Sequence, residues 1–300
     1  MDGPPTLRGE PRTIQTPHLR LAAKQWGRAD GMPVLALHGW LDNANSFDRL
    51  APLLPDVSLW ALDLPGHGLS AHRPVGSLYG FLDLVAEVVA AVDAMPWTAF
   101  ALLGHSLGGG IAPFIAAIRP AQVRRLVLLD ALGPLSDSAE AAPERFARSL
   151  RFERQRSGRP RYFANPTEAA QRIADVAAPL RLDSAQLLVE RGLIHEAAGY
   201  RWRSDPALRV PSRQRLTEPQ VQAFLRRVEC PTLLVHTTSG FTDARAQLPD
   251  RIDCVPNITA HVVPGGHHVH LDDAPRVADL VRPFLAENPP SSEPEPAPLA

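Results

Sequence analysis

No stretch of the 300 residues reaches the ~18–20 consecutive apolar positions that a membrane-spanning helix requires. The longest candidate, FLDLVAEVVAAVDAM (81–95), is interrupted by Asp83, Glu87 and Asp93 and predicts a helix of a water-soluble domain. Cysteine is scarce. Cys230 and Cys254 cannot make a disulfide framework and are expected to be buried, unpaired thiols. Neither sign of charge is in excess: a formal net charge of −1 leaves no bulk attraction to nucleic acid or to an anionic membrane, so neither partner is expected. The opening MDGPPTLRGEPR has no apolar core of the signal-peptide kind, which makes a cytoplasmic location the default expectation. No internal repeat is present. The first eleven residues and ENPPSSEPEPAPLA (287–300) are rich in Pro, Glu and Ser and are expected to be loose tails.

Apolar residues make up 45% of the chain and charged ones 21%, enough to bury a sizeable core. Short apolar runs predict strands at LRLAAKQW (19–26), PVLALHG (33–39), SLWALDLPGHG (58–68), AFALLGHS (99–106) and VRRLVLLDA (123–131). Amphipathic stretches at about 77–94 and 107–118 predict helices between them. Buried strands alternating with helices indicate an α/β protein with a parallel sheet covered on both faces. From about 135 to 225 the text turns helical and polar and is punctuated by prolines, with no buried strand evident. The strand pattern resumes at CPTLLVHT (230–237) and ITAHVVPGGHH (258–268), and a helix at about 273–286 closes it. The arginines between Arg145 and Arg161 are expected to form a solvated helix face paired with Glu144 and Glu153, an anion-binding lid being the lesser alternative.

GHSLG (104–108) fits Gly-x-Ser-x-Gly between a strand and a helix. A phosphate-binding loop would need Gly-Lys-Ser/Thr, and no lysine is present in this stretch; Gly104, Gly108, Gly109 and Gly110 also miss the dinucleotide spacing. Ser106 is therefore expected to be a nucleophile on a tight turn at a helix N-terminus. A serine hydroxyl needs a base and an oxyanion site. LHGW (37–40) offers the N–H of Trp40, to act beside that of Leu107. VVPGGHHVHL (262–271) offers His267, His268 and His270, of which His267, directly after the glycine pair, is the expected base. Three histidines so tightly spaced on one strand end, with no neighbouring cysteine, are not expected to hold a metal. His38 and His67 are expected to be packing residues and His105 a variable neighbour of the nucleophile.

The segments LHGWLDNANSFDRLAPLL (37–54), ALDLPGHGLS (61–70), LLGHSLGG (102–109) and VPGGHHVHLDDAPRVADLVRPFL (263–285) together resemble the α/β-hydrolase superfamily in its lid-bearing esterase- and epoxide-hydrolase-like branch. HGWLDNANSFDRL combined with GGHHVHL is most similar to the serine hydrolase-like proteins. The resemblance implies a mostly parallel central sheet with helices on both faces, formed by residues 1–134 and 226–286. It also implies a helical lid (135–225) inserted after the sixth strand. A Ser–His–acid triad, a two-amide oxyanion hole and no cofactor follow from it. With serine rather than aspartate in the turn, acyl transfer on a small or medium carboxylic ester is expected. The alternatives are a C–C bond hydrolase using the same triad and a non-catalytic ligand-binding relative.

The acid departs from the family pattern. Most members carry it after the strand that follows the lid, where this chain reads LLVHTTSG, with Gly240 in that place and Asp243 three residues on. The other site used in the superfamily is the end of the strand after the nucleophile helix, here LVLLDALGP with Asp130. Asp130 is favoured, Asp243 and a missing acid being the alternatives. Asp63, in DLPGHG, is expected to stabilise its own glycine-rich turn.

Overall fold

The computed structural model describes residues 9–155, 161–176, 180–240 and 246–286. Strands β1 (Glu10–Gln15), β2 (Arg20–Gly27), β3 (Met32–Leu37), β4 (Val57–Leu62), β5 (Phe100–His105), β6 (Val123–Leu129), β9 (Thr232–Ser239) and β10 (Ile258–Gly266) form one sheet in the order β1-β2-β4-β3-β5-β6-β9-β10. Only β2 runs against the rest; every pairing from β4 to β10 is parallel. Helices α1 (Phe81–Asp93) and α2 (Leu107–Ile118) supply the crossovers into β5 and β6; α7 (Leu248–Asp253) precedes β10, α8 (Val269–Asp272) follows it, and α9 (Ala274–Ala286) ends the described chain. The predicted strands and helices of the core all form close to their expected bounds, except that the run at 58–68 is strand only as far as Leu62.

The central strands read as unbroken apolar runs because both faces are covered. Alternation still sorts their side chains. Leu35, Leu37, Leu102, Leu126 and Leu128 pack with α1 and α2 on one face. Val34, Ala36, Leu103, Val127 and Leu129 pack with α9 and with Phe47 and Leu50 on the other. The order in which strands are added switches sides at β3, with β4 on one side of it and β5 on the other. In such sheets a crevice opens at the carboxyl ends of the strands flanking that switch.

Glu10 and Pro11, expected to be part of a loose tail, belong to β1, an edge strand paired in register with β2 from Glu10↔Gln25 to Gln15↔Arg20. An edge strand tolerates proline and needs few buried side chains. Ile14 is buried, but most of its neighbours are exposed, so no apolar pattern marked the strand. Residues 1–8 and 287–300 lie outside the described residues.

Between β6 and β9 come α3 (Ala142–Gln155), α4 (Pro166–Val176), α5 (Leu182–Gly192), a hairpin of β7 (Leu193–Glu196) and β8 (Gly199–Trp202), and α6 (Glu218–Leu225). The hairpin was not foreseen; its four-residue strands are half-buried and carry no apolar run. On α3, Arg151 pairs with Glu144 as expected, whereas Glu153 takes Arg213 from beyond the arginine run.

This segment has its own small core around Phe163, Ala169, Leu188 and Val189, joined by Leu271 from the turn after β10. Polar contacts fasten it to the chain after β3: Asn43 and Asn45 donate to the carbonyls of Leu188 and Leu187, both at 2.8 Å. The strongest tie is ionic. Arg191 of α5 reaches both oxygens of Asp63, which is wholly buried, at 2.8–3.0 Å. Asp63 also accepts the amides of Leu69 and Ala44, each at 2.7 Å, so besides steadying its own turn it anchors the inserted segment. Removing one member of a buried pair costs about 3–5 kcal/mol. Because Asp63 keeps two amide donors, Arg191→Met is expected at the low end, about 3 kcal/mol, read as a lowered urea midpoint. A midpoint unchanged from wild type would mean that the pair contributes no net stability.

Among the described residues no helix is long and apolar enough to cross a membrane. Cys230 is buried and Cys254 half-buried, both as free thiols.

Candidate active site

The parallel strands deliver the segments that follow them to one edge of the sheet, and backbone strain gathers there. Among the described residues, the non-glycine positions with positive φ are Leu41 (65°), Ser106 (52°) and Asp130 (51°), following β3, β5 and β6 respectively. Side chains other than Asn, Asp and Gly rarely adopt this region, and where packing enforces it the site is usually functional.

The turn at Ser106 exists because β5 and α2 pack too closely for side chains on either flank. A Cβ on Gly104 would sit 2.4 Å from the Gly108 carbonyl oxygen, and one on Gly108 would sit 2.0 Å from the carbonyl oxygen of Leu37. The Ser106 amide donates to Leu129 O (3.2 Å), and Ser106 O accepts from Gly110 N (2.9 Å) as α2 begins. Leu107 is the first residue of α2, and so its N–H has no acceptor within the helix. Trp40 lies on the loop after β3, where its indole Nε1 donates to Leu208 O of the inserted segment at 3.2 Å.

Asp130 follows β6 directly. Its Oδ2 accepts from His267 Nδ1 at 2.6 Å, and its Oδ1 accepts from the Thr237 amide (3.0 Å) and hydroxyl (2.9 Å). With Nδ1 committed as a donor, a neutral His267 carries its ring lone pair on Nε2. The His267 ring lies 4.7 Å from that of His105, the residue preceding Ser106.

Gly240 explains the departure from the family pattern. A Cβ built there would lie 2.1 and 2.3 Å from the two Asp130 carboxylate oxygens and 2.3 Å from Thr237 Oγ1. The volume of a side chain at 240 is already filled by Asp130, so acids at the two positions exclude each other. Asp243, the other candidate, lies outside the described residues. If Asp130 positions the base, Gly240→Ala, which must push the carboxylate aside, is expected to lower kcat for an ester substrate about 10²-fold. Turnover equal to wild type would show that His267 does not depend on Asp130.

His38 and His67 pack edge to face at 5.0 Å between their centroids, both fully buried, as expected of packing residues. The Leu64 amide donates to His38 Nε2, so its Nδ1–H donates to Gly39 O at 2.7 Å. Burial pulls both imidazoles down, His67 to about 3.

His105, expected to be a mere neighbour of the nucleophile, is wholly buried and lies among three further rings. His267, His268 and His270 have centroids 4.7, 5.0 and 4.1 Å from its own. Burial, reinforced by these histidines, drives its pKa well down. His105 Nε2–H donates to the backbone carbonyl of His267 at 2.9 Å, so this histidine steadies the loop bearing the expected base. His268 Nε2 meets Asp42 Oδ2 at 3.3 Å. Burial opposes ionisation of both, yet the pair wins: the Asp42 carboxylate is held at about 2, and the His268 imidazole is raised. Asp42 escaped sequence reasoning because its partner lies on the far side of the chain and LDNAN carries no motif of its own.

A model of the alpha/beta hydrolase fold family matches residues 32–274 of this chain. The chain is 35% identical over 290 residues to a probable serine hydrolase of Drosophila melanogaster, covering 92% of this chain and 87% of the fly protein. Over 292 residues it is 32% identical to serine hydrolase-like protein 2 of Homo sapiens, covering 91% and 92%. The crystal structure of a hypothetical protein from Pseudomonas aeruginosa matches with a TM-score of 0.87 at 38% identity, over 93% of this chain and 100% of that one.

Proposed function

Since the chain belongs to the α/β-hydrolase family, we propose that this hydrolase cleaves small or medium carboxylic esters through an acyl-enzyme on Ser106, with His267 as base and Asp130 as the acid of the triad. The observation that carries the proposal is the 2.6 Å contact from His267 Nδ1 to an Asp130 carboxylate held on its other oxygen by Thr237. The fly and human relatives, both called serine hydrolases or serine hydrolase-like, are consistent with it.

Ser106 Oγ attacks the ester carbonyl while His267 Nε2 takes its proton. The carbonyl oxygen gains negative charge and turns toward the N–H groups of Trp40 and Leu107; the partial positive charge of the α2 N-terminus adds to this. Collapse expels the alcohol, protonated by His267, and leaves Ser106 acylated. Water, deprotonated by His267, attacks the acyl carbon, and a second collapse returns Ser106 and frees the acid. Residues 135–225 act as the lid over the acyl and alcohol subsites, held by Arg191 on Asp63 and by Trp40 on Leu208.

The test is a fluorophosphonate probe on the folded protein, read by intact mass and peptide mapping, beside a panel of p-nitrophenyl esters and vinylogous diketones. One label on the peptide bearing Ser106, with turnover of short-chain esters, is expected. Folded protein that never labels overturns the proposal, and turnover of diketones without esters moves the activity to C–C bond hydrolysis.

A further inference from the structure

A cluster of metal-ligand groups lies behind the proposed catalytic residues and takes no part in the acyl-transfer steps. Asp42 follows β3, His105 ends β5 and His268 follows β10, so three loops distant in sequence meet at one point. One ligand atom from each, with all three residues buried, lies within 4.8 Å of the others. Asp42 Oδ2 is 3.3 Å from His268 Nε2 and 3.7 Å from His105 Nδ1. The two sides that meet at Asp42 are close to the spacing of neighbouring ligand atoms around a single zinc ion, whose bonds to imidazole nitrogen and carboxylate oxygen are about 2 Å.

Two independent features point into this triangle. The first is His105 Nδ1, fully buried and without a hydrogen-bond partner. Because Nε2 donates to the His267 carbonyl, the neutral ring turns a bare lone pair toward a carboxylate oxygen. Two acceptors face each other at 3.7 Å, an arrangement that a cation between them resolves. The same Nε2–H to carbonyl bond is the outer contact that metal-binding histidines characteristically make, fixing the tautomer that ligates. The second is Gly39. A Cβ there would stand 2.8 Å from Asp42 Oδ2 and 3.1 Å from His105 Nδ1, so only glycine leaves that side of the triangle open.

We propose that Asp42, His105 and His268 bind a divalent cation of the zinc class, with a water completing the coordination on the Gly39 side. Two imidazoles and one carboxylate suit borderline ions such as Zn²⁺ or Co²⁺ rather than Mg²⁺ or Ca²⁺, which prefer oxygen. On binding, the proton between Asp42 and His268 Nε2 leaves for solvent. The ion ties the loop of Trp40, the turn of Ser106 and the loop of His267 to one another and so acts as a structural clamp. Along the sequence only His267, His268 and His270 stand together, a spacing not expected to hold a metal; the fold instead draws one of those three together with partners 163 and 226 positions away.

The test unfolds the full chain with chelator and refolds it with either Zn²⁺ or EDTA, then dialyses. Metal content and thermal midpoint are measured, and Co²⁺ refolding gives an optical spectrum. Wild type is expected to retain about one equivalent and to melt about 5 °C higher with Zn²⁺. Asp42→Asn, His268→Gln and Gly39→Ala are each expected to lose at least tenfold in affinity, and His267→Gln to keep the metal. Refolded wild type that retains no metal overturns the proposal. So does metal kept by Asp42→Asn and lost by His267→Gln, because the ion would then lie on the proposed catalytic base. Should the ligand variants not refold, wild-type stoichiometry and a tetrahedral Co²⁺ spectrum, set against the His267→Gln variant, decide alone.

Discussion

Ser106→Ala is expected to abolish fluorophosphonate labelling and to lower ester turnover by about 10⁴–10⁶-fold, leaving only what the oxyanion donors and substrate binding supply. The effect should be confined to chemistry. Ser106 adopts φ 52° and ψ −111° because Gly104 and Gly108 let β5 and α2 close on each other, and that strain is borne equally by alanine. The turn is held by main-chain bonds to Leu129 and Gly110 rather than by the hydroxyl. The thermal midpoint should therefore stay within about 2 °C of wild type, a shift worth less than 1 kcal/mol. A variant that folds and retains a tenth of wild-type turnover would place the nucleophile elsewhere in the chain.

What was legible beforehand follows a physical pattern. The central strands announce themselves because burial on two faces demands unbroken apolar text, as in Phe100–His105 and Val123–Leu129. The turn at Ser106 is legible because its steric demands are local: glycines at fixed offsets from one serine. Asp130 is legible only as a candidate, since the groups that hold its carboxylate, Thr237 and His267, are both more than a hundred positions away.

The missed features share a cause. β1 and the β7–β8 hairpin bury little, so composition has nothing to mark. His105 occupies the variable position of a motif, and its role is set by the His267 carbonyl, which only the folded sheet brings to it. The Arg191–Asp63 pair joins the core to the inserted segment across 128 positions. Arg191 sits in a helix whose other charges, such as Glu190, are exposed, so local sequence could not separate this half-buried cation from its solvated neighbours.

Asp130→Asn is expected to reduce kcat about 10⁴-fold while leaving the structure intact. Asparagine tolerates the left-handed backbone of this position as well as aspartate does, so the strain at φ 51° is not increased. Its carbonyl oxygen can still accept from the Thr237 amide and hydroxyl. The new NH₂ group then faces His267 Nδ1, which must accept instead of donate. That places the imidazole proton on Nε2, where the lone pair is needed to take the proton from Ser106. The defect is in tautomer rather than in geometry, so it should appear in kcat with KM nearly unchanged. The occupied space at Gly240 supplies a second arm. Asp130→Gly empties the volume that a side chain at 240 would need, and the double change Asp130→Gly with Gly240→Asp returns a carboxylate to the same pocket from β9. The double variant is expected to exceed Asp130→Gly by at least tenfold in kcat, whereas Gly240→Asp alone, whose Cβ would stand 2.1 Å from an Asp130 carboxylate oxygen and which sets a second carboxylate beside the first, should be the least stable of the set. Equal activity in Asp130→Asn and wild type would remove Asp130 from the triad and leave the 2.6 Å contact with His267 a structural one.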